Sequence, residues 1–211
     1  VDLPWLLGEQ WDEVTGKELD KEKVIQGRMK ELGKFKERQV YVHHPHDQAM
    51  KDEGGKFVKT RCVQTEKDDE VRCRLVAQEF RDGAPSLFAA TPPPEALKTL
   101  FNLAVASNSK RQIGFIDIKK AHLYAKATRD VYIELPPGGC TEGMCGKPNY
   151  SLYGTRGAAH NWEKEYTDTL TAMGFTLGLS TTCVFRHAAR NIDIVVHGDE
   201  FTVLGTSFDI A

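Results

Sequence analysis

The stretch IVVHGDEFTVLG, Ile194 to Gly205, decides the fold. Two β-branched apolar runs are interrupted by Gly198, Asp199 and Glu200, the pattern of a hairpin whose tip carries two adjacent carboxylates. Adjacent carboxylates repel one another wherever water is scarce. The pair is therefore either an ordinary polar turn or part of a cation site. A third carboxylate, Asp117, ends another apolar run, QIGFID. If the strands are neighbours, Asp117, Asp199 and Glu200 converge at one sheet edge and suit Mg²⁺ and phosphoryl transfer.

Outward from this hairpin, LDKEKVIQGRMKELGKFK reads as a helix capped by Asp20, with Val24, Ile25, Met29 and Leu32 at helical spacing. RQVYVHHP is a short strand ended by Pro45, and His43, His44 and His46 sit in a polar segment expected to be a solvated loop. KFVKTRCVQT and DEVRCRLVAQEF are strands joined by a turn at EKDD. Their alternation puts Lys59, Arg61, Arg72 and Arg74 outside the core. ATPPPEALKTLFNLAVASN is a helix entered near Thr91, with Leu97, Leu100, Phe101 and Ala104 on one face. DVYIELPPGG is a strand. SLYGTRGAAHNWEKEYTDTLTAMGF turns at Gly154 and continues as a helix with Trp162, Tyr166, Leu170 and Met173 on one side, ending at Gly174. Residues 1–16 read as an irregular extension anchored by Trp5 and Trp11. Helices interleaved with hairpins indicate an α+β fold with an antiparallel sheet.

Composition sets the bounds. The 211 residues, 40% hydrophobic and 27% charged, suit a globular chain. No apolar run approaches the roughly 20 residues that span a bilayer. Five cysteines form no CxxC pair, which argues against a disulfide scaffold and a zinc site and for a reducing, intracellular compartment. The net charge of −2 is not the overall signature of a nucleic-acid binder. The distribution is uneven, however: residues 191–211 hold no Lys or Arg, whereas Lys56, Lys59, Arg61, Arg72, Arg74 and Arg81 fall close together.

Taken in order, RCRLVAQEF, LFAATPPPEALKTLFNLA, FIDIKKAHLYAKATRDVYIELPPG, SLYGTRGAAHNWEKEY and VVHGDEF resemble the successive motifs of the Ty1/copia-type retrotransposon reverse transcriptase domain. The likeness runs from about Thr15 to Gly205. The HGD turn and LFAATPP resemble copia-like elements of some protist genomes. The resemblance implies a fragment of a Pol polyprotein with a fingers-and-palm fold over 17–211, a fingers hairpin at about 56–81 and an antiparallel palm sheet at about 110–211, with the thumb absent.

It implies an RNA-directed DNA polymerase working with two Mg²⁺ (or Mn²⁺) ions on a template–primer and dNTP. Asp117, Asp199 and Glu200 match the metal-binding catalytic positions. His122 falls where such enzymes carry an aromatic that rejects the ribose 2′-hydroxyl. Lys59, Arg61, Arg72 and Arg74 fall where basic side chains meet the triphosphate, and Gly154 and Arg156 where template and primer are contacted. Tyr153 and Trp162 read as core. A retroelement product of this kind acts in cytoplasm or nucleus. Glu200 departs from the family's second aspartate. The alternative it implies is a catalytically degenerate, domesticated domain serving as a structural subunit among other proteins.

Overall fold

A computed structural model describes residues 10–52, 56–80, 89–106, 110–136, 139 and 141–206. Trp5 lies outside these residues. Helices and sheets are mixed, as an α+β chain requires. Two compact units are formed, Val1–Ser86 with Lys126–Ala158, and Leu87–Ala125 with Ala159–Ala211. The expected palm span of about 110–211 therefore runs through both.

In the first unit, helix α1 (Lys21–Glu37) starts where the Asp20 carboxylate accepts the Lys23 amide at 2.9 Å. Its buried face is Val24, Gly27, Arg28, Glu31 and Phe35, whereas Met29, expected inside, is exposed. The cause is close packing on strand β3 (Glu70–Ala77). A Cβ at Gly27 would stand 2.3 Å from the Val71 carbonyl oxygen, so the helix turns its glycine to the sheet and Met29 outward.

Strand β1 (Tyr41–Pro45) precedes a short helix, α2 (His46–Ala49). The histidines expected in a solvated loop are here. His44 stacks on Tyr132 and the His46 ring tilts against Phe57, with centroids 5.2 and 4.4 Å apart. Strand β2 (Lys56–Lys67) turns into β3 at Asp68–Asp69, with φ of 56° and 64°. Two left-handed residues make the turn twist with the strands. Strands β5 (Val131–Glu134) and β6 (Met144–Pro148) complete a sheet ordered β1-β6-β5-β2-β3. Its β2–β5 pair is parallel. Of the N-terminal segment, Trp11 is half-exposed and does not anchor. Asp12 does: its carboxylate accepts the amides of Glu66, Thr15 and Val14. These amides, Glu66 first, hold the Asp12 pKa down to about 2.

The second unit is a sheet between two helices, α3 (Pro94–Val105) and α4 (Ala158–Ala172). Pro93, not Thr91, occupies the cap position of α3. Strands β4 (Arg111–Asp117), β7 (Thr176–Leu177), β8 (Val184–His187), β9 (Ile192–His197) and β10 (Glu200–Thr206) form an antiparallel sheet ordered β4-β10-β9-β8-β7. On one face, Trp162, Tyr166 and Leu170 of α4 pack on Phe185, Ile194, Val196, Phe201 and Val203. On the other, Leu100 of α3, with Ala96, Leu97 and Ala104, packs on Val195 and Leu204. Phe101 and Met173, expected inside, are exposed. Both faces of β9 and β10 are covered, so their sequence is a continuous apolar run rather than an alternation. Among the described residues, no helix is long and apolar enough to cross a membrane.

Candidate active site

The acidic hairpin is built by a two-residue turn. His197 pairs with Glu200, leaving Gly198 and Asp199 at the tip, and Gly198 takes φ 65° at the first turn position. Strand β10 then pairs with β4 in the register Glu200↔Asp117, and the Ile118 amide donates to the Asp199 carbonyl at 2.9 Å. Directly paired residues point to the same face of a sheet. Asp117 and Glu200 are therefore cross-strand neighbours, and Asp199 sits at the adjacent tip; all three are exposed. Beneath the tip, the Trp162 indole donates to the Gly198 carbonyl at 2.8 Å, so α4 fixes the height of the turn.

Hard carboxylate oxygens of this kind are what Mg²⁺ takes, and the strand register supplies two at one cross-strand pair. Among the described residues, no three His, Cys, Asp or Glu side chains already stand in a metal-holding group.

His122 lies in a 3₁₀ turn, Ala121–Tyr124, five residues beyond Asp117. Burial pushes its imidazole below the usual value, and the negative charge of Asp199 pulls part of the way back. The folded chain thus binds this proton less tightly than the unfolded chain. Acidification through the ordinary imidazole range, near 6.5, removes stability. Asp199→Asn lowers the His122 pKa further, read by NMR titration of the imidazole. An unchanged pKa would show that the two groups are not coupled.

The first unit holds the basic positions. The β2–β3 register sets Arg61 opposite Val76, and Arg72 and Arg74 opposite Thr65 and Val63. Alternation then puts Lys59, Arg61, Arg72 and Arg74 on one exposed face. Arg61 pairs with Glu13 and Arg72 with Asp68, each at 3.0 Å. Lys59 and Arg74 enter no ion pair among the described residues.

Gly154 (φ 83°) lies against the end of β3, where a Cβ would stand 1.9 Å from the Ala77 carbonyl oxygen. The Ala77 amide donates to the Tyr153 carbonyl at 2.7 Å. Trp162 lies in the core as expected, whereas Tyr153 is half-buried.

Two polar centres escape sequence reading. Glu79 has no exposed side-chain area. It accepts Arg129 Nη2 at 2.8 Å and Nη1 at 3.2 Å, and the Arg156 amide at 2.9 Å. Lys56 Nζ stands 3.8 Å away. Burial alone would raise the Glu79 pKa, but these donors outweigh it and hold the carboxyl below its usual range. Asp193, buried in β9, accepts from Arg111 and, at 2.5 Å, from Arg186. Only Arg186 and Asp193, opposite one another across the β8–β9 hairpin, are linked by a local spacing. Arg129 and Arg156 are 50 and 77 positions from Glu79.

The family model described as reverse transcriptase (RNA-dependent DNA polymerase) matches residues 37–210. A curated relative, the retrovirus-related Pol polyprotein from transposon TNT 1-94 of Nicotiana tabacum, is 24% identical over 144 residues. The aligned part is 64% of this chain and 11% of the relative, so the chain spans about a tenth of that protein's length.

Proposed function

Because the chain belongs to the reverse transcriptase (RNA-dependent DNA polymerase) family, in its copia-like form, we propose that it carries the nucleotidyl-transfer site of such an enzyme. The observation that carries this reading is the register that pairs Asp117 with Glu200 beside Asp199. When bound, Mg²⁺ (or Mn²⁺) neutralises charge on the phosphates in transfer, and Asp117, Asp199 and Glu200 would hold it. Of the four hairpin candidates, Lys59 and Arg74 lie outside ion pairs among the described residues and are the better ones for gripping a triphosphate. Arg61 and Arg72 would first have to leave Glu13 and Asp68. His122 fills space beside Asp199 and restricts the ribose 2′-hydroxyl. Gly154 and Arg156 face template and primer. The β2–β3 hairpin plays the part of fingers, and the sheet of β4, β10, β9, β8 and β7 that of the palm. Free Cys62, Cys73, Cys145 and Cys183 suit a reducing intracellular compartment.

The second reading is a domesticated module docked among other proteins. It is favoured by Glu200, whose side chain is one methylene longer than the family's aspartate. Primer extension on an RNA template with Mg²⁺ or Mn²⁺, alongside calorimetric titration of each metal, separates the two. Extension with metal binding supports the polymerase. Neither extension nor metal binding leaves the module.

A further inference from the structure

A carboxylate with no exposed area is stable only when it is paired and hydrogen-bonded. Glu79 accepts hydrogen bonds from two distant segments, the Arg129 guanidinium and the Arg156 amide, with the Lys56 ammonium 3.8 Å away. Its backbone does related work. The amides of Ala77 and Glu79 donate to the carbonyls of Tyr153 and Gly154, at 2.7 and 3.4 Å, while the Gln78 amide donates to the Lys59 carbonyl at 2.8 Å. The end of β3 thus bonds alternately to strand β2 and to the turn at 153–154. Residues 153 and 154 are held by backbone, and residue 156 by the Glu79 side chain. Gly154 is bare at Cα because the Ala77 carbonyl occupies the place of its Cβ.

We infer that Glu79 is the positioning residue of the nucleic-acid contact at Gly154–Arg156: its carboxylate fixes the backbone from which the Arg156 side chain leaves for a phosphodiester. This rests on reading Gly154 and Arg156 as the template–primer contact. A surface ion pair would carry little consequence. A buried one that also holds a backbone amide determines where the following side chain starts.

The test uses the whole chain and a fluorescent RNA–DNA template–primer. Glu79→Ala raises the Kd by about tenfold, and Glu79→Gln, which keeps an acceptor for the Arg156 amide, by a smaller factor. In primer extension, Glu79→Ala raises the KM for template–primer and leaves kcat within about twofold. Amide exchange at Arg156 quickens by about tenfold in Glu79→Ala. If Glu79→Ala fails to fold, Glu79→Gln with Arg156→Ala as comparison carries the measurement. An unchanged Kd in the Glu79 variants, with Arg156→Ala weakened, overturns the inference and leaves the polymerase reading standing. No duplex binding by the unmodified chain sinks that reading, and the inference falls with it.

Discussion

Primer extension disappears in Asp117→Asn and rises by on the order of 10²-fold in Glu200→Asp. The two residues are a cross-strand pair at the end of β4 and the start of β10. Asn keeps the size of Asp and removes its charge, so a lost rate in Asp117→Asn reports the charge and not the packing. Glu200→Asp keeps the charge and shortens the side chain by one C–C bond, about 1.5 Å. A displacement of about 1 Å in a reacting constellation is worth on the order of 10²-fold. Single-turnover nucleotide addition on one template–primer reads both variants. Activity that Asp117→Asn abolishes sinks the structural-module reading. A fall in Glu200→Asp would mean the site has rebuilt itself around the longer acid.

Asp193→Ala destabilises the chain by about 3–5 kcal/mol. Asp193 is buried in β9 and takes charge-assisted hydrogen bonds from Arg111 of β4 and Arg186 of β8. Arg111 also donates to the Leu204 carbonyl at 3.2 Å, and Arg186 to Asn191 Oδ1 at 3.1 Å. Arg186 is half-exposed and relaxes into water when the carboxylate goes. Arg111 is 12% exposed, so the lost carboxylate is replaced poorly by water around its charge. Replacing both ends with apolar groups removes that penalty. The double variant Asp193→Val with Arg111→Met is therefore markedly more stable than Asp193→Ala. Thermal unfolding of the three chains checks this. Equal losses in the single and double variants would show that lost packing, not stranded charge, is responsible.

The acidic hairpin was legible because its signals are local: a Gly-led turn, two acids and two apolar runs covered on both faces. The register was not. A turn centred on Asp199–Glu200 and one centred on Gly198–Asp199 look alike in sequence, and a shift of one residue changes which acid faces Asp117. The helices were legible from Asp20, Gly174 and their periodicity, but the inward face of α1 was not. Packing at Gly27 turned Arg28 and Glu31 inward and Met29 outward, against hydrophobic order. The parallel β2–β5 pair, strand β6 and the Glu79 centre depend on segments far apart in the chain, which no local pattern joins. His44 and His46 misled because polarity was taken for exposure, whereas their rings lie against Tyr132 and Phe57; His43 is exposed, as its polarity suggested.

The Trp162 indole, seated in the core of the second unit and bonded to the Gly198 carbonyl, gives the acidic turn an optical reporter of its own. A cation or phosphate arriving at Asp199 shifts the local field one residue from that hydrogen bond. Indole emission is sensitive to such a field. The chain has three tryptophans, so replacing Trp5 and Trp11 by Phe leaves a fluorescence signal that belongs to the turn alone.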